Sequence, residues 1–195
     1  MQRRAKDENG NPILVPQDIN YQEWKKKYVD NKLQYEDITD MVLSKNKKEY
    51  KVEEQQYFID DNGNKYVVDG KYVLLEPTQR EKDVANMLGE IYGEKVKIIP
   101  RVNKPLNIKT PDYMINDQKF DLKQITGKGK YSIEGNLKGK QEQAHNFIID
   151  ITNAKLEQEE AERQIQSIYN SKRYSWIDSI MLIKNEEFLK IYKRK

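Results

Sequence analysis

The segment from Phe147 to Ile151 is apolar apart from Asp150, and a patterned helical stretch follows it. Such an apolar run predicts a central β-strand that is buried on both faces. From Leu156 to Tyr169, apolar residues recur at helical spacing among glutamates, which predicts a helix that covers one face of a sheet. We therefore expect an α/β (α+β) chain with a mixed central sheet flanked by helices.

Turn signals divide the chain into three predicted regions. Residues 1–50 are polar, with helices predicted over Tyr21–Tyr28 and Leu33–Leu43, and are interpreted as an attachment segment. Residues 51–75 are predicted to form a three-stranded β-meander, because Asn-Gly and Asp-Gly pairs separate aromatic and β-branched runs. Residues 76–195 are the predicted functional domain.

The functional domain is predicted to begin with a helix. Thr78 and Glu81 have the spacing of a capping box, and Gly93 is the expected C-cap residue. The predicted elements that follow are the strand Val96–Ile99, a hairpin of Tyr113–Ile115 and Phe120–Ile125 about Asn116-Asp117-Gln118, a helix over 133–145, the strand and helix described above, and the strands Ile177–Ile183 and Phe188–Tyr192.

Composition excludes several kinds of site. The chain has no cysteine and one histidine, so disulfides, thiol catalysis and a two-histidine zinc site are impossible. No apolar run is long enough to span a membrane. The net charge is only +3, but residues 101–145 hold nine lysines and arginines against five acidic residues. A basic region of this kind suits a polyanionic ligand.

The most informative motif lies in that basic region. Asp112 begins one strand of the predicted hairpin, and Asp121 and Lys123 lie on the returning strand, two residues apart and therefore on one face. Two carboxylates that lie close together are stable with a lysine or a divalent cation between them. We expect this cluster at one end of the sheet, open to solvent, with Lys123 as the catalytic amine. Asp112 and Asp121 are its acidic site residues and, for a metal-dependent reaction, the ligands of Mg²⁺ or Zn²⁺.

The motif resembles that of the PD-(D/E)XK nucleases: Pro111-Asp112, eight residues, then Asp121-Leu122-Lys123. That resemblance implies a nuclease-like fold and a further acid from the first helix, for which Glu81 or Glu90 is available. The capping box is a sufficient structural explanation for Glu81. The motif alone is compatible with a metal-dependent DNA endonuclease.

Residues 76–195 also resemble the C-terminal toxin domains of contact-dependent growth-inhibition and phage-borne polymorphic toxins. The matching runs are Lys109–Tyr113, Phe120–Lys123 and Gln143–Asp150. The resemblance implies a nuclease that cleaves tRNA in the cytoplasm of a target bacterium, and a cognate immunity protein as partner. The N-terminal segment resembles the tail of phage minor head proteins, in the residues from Arg3-Arg4-Ala5-Lys6-Asp7 through Pro16 and in Tyr21–Trp24. That resemblance implies virion association through a capsid or portal.

Some related toxins are metal-independent ribonucleases of the barnase/EndoU/colicin/RelE type, and that resemblance implies roles for Lys123 and His145. Gln143 is a further catalytic candidate. The candidates for substrate binding are Lys128, Lys130, His145 and Asn146. Each also has an ordinary explanation, as a mobile surface lysine or as a polar residue at a helix end. A non-enzymatic phage structural or DNA-binding module is the alternative from another class.

Overall fold

The computed structural model describes residues 4–6, 12–14, 20–24, 26, 30–45 and 47–195. The strands are β1 (Arg4–Lys6), β2 (Pro12–Leu14), β3 (Tyr35–Asp37), β4 (Val52–Glu54), β5 (Tyr57–Ile59), β6 (Lys65–Val67), β7 (Val73–Leu74), β8 (Val96–Ile98), β9 (Arg101–Val102), β10 (Tyr113–Ile115), β11 (Gln118–Gln124), β12 (Asn146–Asp150), β13 (Ser179–Lys184) and β14 (Glu187–Arg194). The helices are α1 (Tyr21–Trp24), α2 (Thr39–Leu43), α3 (Gln79–Tyr92), α4 (Ser132–Leu137) and α5 (Gln158–Asn170).

The central feature is an eight-stranded sheet with the order β3-β14-β13-β12-β11-β10-β8-β4. The pairs β11–β12, β12–β13 and β4–β8 are parallel, and the other pairs are antiparallel. Every residue of β12 is buried. The predicted mixed sheet, with an apolar central strand, is confirmed.

Helices cover both faces of this sheet. Helix α3 packs on one face, and its Val84, Leu88 and Ile91 belong to one apolar cluster with side chains of the sheet, among them Tyr113 and Phe120. Helices α4 and α5 cover the other face, where the apolar core contains the following residues: Ile125, Ile133, Leu137, Phe147, Ile149, Ile165 and Ile168. The predicted start and end of α3 are confirmed, since Thr78 and Glu81 form the capping box and Gly93 is the left-handed C-cap.

Two predicted helices are wrong in extent. The helix predicted over Leu33–Leu43 is strand β3 followed by α2, because Tyr35–Asp37 pairs with β14 and the Asp37 carboxylate accepts hydrogen bonds from Thr39 at the helix start. The helix predicted over 133–145 is only α4, which ends at Leu137 ahead of Gly139, whose φ is +73°. Glycine is the residue that adopts this conformation at no steric cost.

The predicted meander is confirmed for β5 and β6 but wrong for its third strand. Strand β7 pairs with β9 and not with the hairpin. Val73 and Val102 are buried together against Phe58, so that a small separate core holds this ribbon of two strands in place. Pairing with a distant strand therefore replaced the local pairing that the turn at Asp69-Gly70 predicted.

Strand pairing crosses the predicted boundaries at residues 50 and 75. Strand β3, before residue 50, pairs with β14, and β4, before residue 75, pairs with β8, so that β3 and β4 form the two edges of the large sheet.

The assignment of residues 1–50 to a phage head-protein tail stays a prediction. Much of that resemblance, including Arg3, Asp7 and Pro16, lies outside the described residues. No helix in the described part of the chain is long and apolar enough to cross a membrane.

Tyr35 tests whether the N-terminal edge strand is integral to the fold. Its ring is buried, stacks on Tyr169 at 5.1 Å and meets Tyr192 edge-on at 5.7 Å. We predict that Tyr35→Ala lowers the free energy of unfolding by about 3–5 kcal/mol in chemical denaturation. Tyr57→Ala, at a ring that is 40% exposed, is the control and should cost less than about 1 kcal/mol. Equal stability of the two variants would contradict this.

Candidate functional site

The β10–β11 hairpin places the predicted motif. Asn116 and Asp117 turn the chain with φ values of 48° and 60°, and Tyr113 pairs with Phe120. Asn and Asp are the non-glycine residues that best tolerate this left-handed turn. One position beyond that pair, Asp112 lies opposite Asp121, and opposite residues of an antiparallel pair point to the same face.

The side chains of Asp112, Asp121 and Lys123 converge. Asp112 Oδ2 accepts a hydrogen bond from the Leu122 amide at 2.7 Å, and the Asp112 carboxyl also bonds to that of Asp121. The Lys123 ammonium forms an ion pair with Asp121 Oδ2. Two carboxyls and one amine therefore meet at one face of the sheet, as the spacing predicted.

The expectation that this cluster is open to solvent is wrong for Asp121. The Asp121 side chain has no exposed surface, and 14% of the Lys123 side chain is exposed. Gln143, in the loop after α4, provides part of the cover, since its Nε2 donates to Asp121 Oδ1 at 2.7 Å and to the Thr110 carbonyl at 3.0 Å. Gln143 is thus the one other sequence candidate that directly contacts the carboxyl pair.

Asp112 is the member of the cluster that lines a cavity. This cavity has a volume of about 50 Å³, and its walls include Glu81, Arg101, Thr110 and Leu74. Strands β7 and β9, the start of α3 and the chain before β10 each contribute to it. A ligand that enters here meets Asp112 before Asp121.

Glu81 forms the predicted capping box and also lies at the cavity, while its role as a catalytic acid stays a prediction. Its Oε2 accepts from the Thr78 amide at 2.6 Å as part of the capping box, and its Oε1 lies 3.8 Å from Nη2 of Arg101. The same side chain lines the cavity beside Asp112. Glu90, the other helix candidate, instead accepts a hydrogen bond from Tyr50 at 3.3 Å.

The Asp112 carboxyl has an altered acidity. Its pKa is raised to about 7, mainly by burial and then by the negative charge of Asp121. The hydrogen bond from the Leu122 amide and the Lys123 ammonium lower the pKa, but by less. Asp112 therefore holds a proton at pH values where a free carboxyl has lost it. A perturbed carboxyl in a cavity is typical of functional sites.

The carboxyl pair fits a hard divalent cation. Asp121 Oδ2 is buried and forms an ion pair with the Lys123 ammonium, and no backbone amide of the described residues donates to it. Within the described ranges no group of three or more His, Cys, Asp or Glu side chains is placed to hold a metal. One or two carboxylates, completed by water and substrate phosphate, form the usual Mg²⁺ site, whereas Zn²⁺ usually takes three or four protein ligands.

The other substrate-binding candidates lie elsewhere. Lys128 and Lys130 line an open depression beside α4 and α5, together with Arg163. His145 is half exposed, lies 3.7 Å from Asp178 and packs against Trp176. Asn146 is buried, donates to the Lys119 carbonyl and accepts from Ser179. The structure therefore brings none of these four residues into the cluster, and their roles in binding stay a prediction.

Sequence reasoning missed two contributions to the site. Arg101 lines the cavity, and the only signal for it was its position in a basic segment. Arg80, beside Glu81, donates from Nε to Asp150 Oδ2 at 2.7 Å and from Nη2 to Thr152 at 3.0 Å. Burial tends to raise the pKa of Asp150, but these partners lower it overall. This ion pair fixes the start of α3, and hence Glu81, to the central strand.

Comparison with known proteins identifies the segment that contains this cluster. Residues 109–188 match the family model described as the contact-dependent growth inhibition CdiA C-terminal domain. This segment is therefore similar to the CdiA C-terminal toxin domains. The toxin-domain resemblance predicted from the sequence is thereby confirmed. No curated protein matches the chain at a significant level.

A solved structure is also similar to this toxin domain. It is a CdiA-CT/CdiI toxin and immunity complex from Burkholderia pseudomallei, with 21% sequence identity and a TM-score of 0.46. The match covers 72% of this chain and 97% of the other. Within the toxin domain, the family segment contains Asp112, Asp121, Lys123 and Gln143, whereas Glu81 precedes it.

The raised pKa of Asp112 gives the stability of this domain a testable pH dependence. A carboxyl whose pKa is raised on folding contributes stability that is present at low pH and is lost as pH rises through the folded-state value. Asn at position 112 reproduces the protonated carboxyl, so the free energy of unfolding of the wild type should fall relative to Asp112→Asn between pH 3.8 and about 7. Denaturant titrations across that pH range measure the free energy of unfolding of both proteins. A difference between them that does not change with pH would contradict a proton held on Asp112.

Proposed function

We propose that this toxin domain is a Mg²⁺-dependent nuclease that cleaves tRNA in the cytoplasm of a target bacterium. The observation that carries the proposal is the convergence of Asp112, Asp121 and Lys123 at one face of the sheet. The choice of tRNA follows the resemblance to tRNA-cleaving toxins, because the cluster itself is suited to phosphodiesters in general.

Each residue of the cluster has a distinct part in the proposed reaction. Asp112, after losing its proton, and Asp121 would hold the cation. A bound Mg²⁺ would supply Lewis-acid polarisation of the scissile phosphate and a lower pKa for an attacking water. The Lys123 ammonium, released from Asp121 Oδ2, turns to the phosphate and stabilises its developing negative charge. Gln143 holds Asp121 Oδ1 in a fixed orientation by donating to it.

Substitution of the cluster tests this assignment. Asp112→Asn, Asp121→Asn and Lys123→Gln should each lower the rate of tRNA cleavage by at least about 100-fold, because each removes a charge that the transition state needs. Asn has the shape of Asp, and Gln is a neutral polar replacement for Lys, so packing changes little; circular dichroism checks that the variants fold. Full cleavage by all three variants would refute the proposed site.

His145→Ala is the matched control, because it distinguishes the metal-independent mechanism. His145 contacts Asp178 and Trp176 outside the cluster, so its loss should leave cleavage within about threefold of the wild type. EDTA should abolish cleavage and added Mg²⁺ should restore it. Cleavage that persists in EDTA and depends on His145 would instead support the barnase/EndoU/colicin/RelE-type reaction, and digestion of DNA alone would support a DNA endonuclease.

Glu81 can be tested separately from the capping box. Gln is also accepted at this position of a capping box, so Glu81→Gln keeps the cap and removes the charge. We predict that Glu81→Gln lowers the cleavage rate by at least about tenfold, with the melting temperature unchanged, if its carboxylate assists the cation. Thr78→Ala should show the reverse, losing about 1 kcal/mol of stability while it keeps activity. A wild-type rate for Glu81→Gln would restrict Glu81 to capping.

A producing cell must block such an activity, and a cognate immunity protein is the partner we propose. Its surface should be acidic, because Arg101, Lys104 and Lys109 lie on exposed positions near the cavity. Electrostatic complementarity of this kind accelerates association and selects the correct partner. Virion association through the N-terminal segment remains a separate proposal, and it rests on the resemblance of that segment alone.

A further inference from the structure

The two-stranded ribbon of β7 and β9 has one buried face and one exposed face. Val73 and Val102 pair with each other and are 5% and 7% exposed. Leu74 and Arg101 form the next pair, and both line the cavity beside Asp112. Tyr72 directly precedes β7, and its carbonyl accepts a hydrogen bond from the Asn103 amide, which continues the β7–β9 pairing by one residue. Extended chain of this kind puts Tyr72 on the same side as Leu74.

Tyr72 has an unusual set of neighbours for a surface tyrosine. Its side chain is 37% exposed, and two ammonium groups lie over its ring, Lys71 Nζ at 4.8 Å and Lys104 Nζ at 5.0 Å from the centroid. Both lysines are on exposed positions. The ring therefore presents an aromatic surface with two positive charges beside it, two positions along the chain from Leu74 in the cavity wall.

We propose that Tyr72, Lys71 and Lys104 form a subsite that binds an unpaired nucleotide next to the scissile phosphate. The base stacks on the Tyr72 ring, and the two ammoniums move from the ring to the flanking phosphates. Aromatic stacking combined with basic residues that follow the backbone is the general way in which proteins hold single-stranded nucleic acid. This inference rests on the proposed nuclease function.

The spacing along the ribbon supports this occupant. Tyr72 and Leu74 are two positions apart along the extended chain, a span of roughly 7 Å. That is roughly twice the axial rise per phosphate of one duplex strand and is suited to one nucleotide of an extended strand. A base on Tyr72 would therefore leave its neighbouring phosphate at the entrance of the cavity, where Arg101 is available to contact it.

The experiment compares variants of the full chain with fluorescein-labelled unfractionated tRNA as the probe. Tyr72→Ala should weaken binding by about fivefold or more, because stacking on one base is lost. In cleavage it should raise KM and leave kcat unchanged, since the contact is remote from the reacting atoms. Tyr72→Phe keeps the ring and should behave as the wild type.

Tyr57→Ala is the matched control. Tyr57 is 40% exposed and has Lys65 Nζ at 4.3 Å from its ring centroid, but it lies on the β5–β6 hairpin and does not line the cavity. Its loss should change neither binding nor KM. Any of three results would refute the subsite. Tyr72→Ala could bind tRNA as tightly as the wild type, or Tyr72→Phe or Tyr57→Ala could lose as much affinity as Tyr72→Ala.

A second measurement tests the lysines. The double variant Lys71→Gln, Lys104→Gln should reduce the slope of log Kd against log salt concentration by roughly 1.4, the value for two phosphate contacts with single-stranded nucleic acid. Lys65→Gln is the control and should leave the slope unchanged. An unchanged slope in the double variant would also refute the subsite.

The wild type separates the subsite from the nuclease function. Binding that depends on Tyr72 without any cleavage would refute the nuclease function alone, whereas no tRNA binding would refute the subsite and the nuclease function together.

Discussion

The candidate site depends on the register of one hairpin. Because side chains alternate along a strand, a shift of one residue between β10 and β11 would put Asp112 and Asp121 out of reach of each other. Tyr113 and Phe120 prevent that shift, since they pair with each other and are buried against α3. The packing that stabilises one face of the sheet therefore fixes the positions of the acidic groups on the other face.

Charge balance explains how such a cluster is tolerated in a buried position. A protonated Asp112, an ionised Asp121 and the Lys123 ammonium together carry no net charge. Unpaired buried charges are costly, so this neutral arrangement stabilises the resting site. In the proposed reaction, a dication held by Asp112 and Asp121 in place of the proton would give the cluster one net positive charge. The bound cation would then favour a phosphate at the site.

The features that the sequence predicted correctly are local ones. The capping box of α3, the turn at Asn116-Asp117 and the Asp112, Asp121 and Lys123 cluster each arise within a short stretch of chain. The features that it missed are contacts between distant residues. Arg80 meets Asp150 across the sheet, and β7 left the predicted meander to pair with β9. His145 lay near the motif in sequence, but strand β12 holds it in contact with Asp178, outside the cluster.

The segment that matches the toxin family does not contain the whole site. The cluster lies within residues 109–188, yet β7, β9 and the start of α3 supply much of the cavity wall. The chemistry and the shape of the entrance therefore reside in different parts of the chain. This division allows the shape of the entrance to change while Asp112, Asp121 and Lys123 stay fixed by their hairpin. The residues before 109 are therefore the place to alter the entrance without disturbing the carboxyl pair.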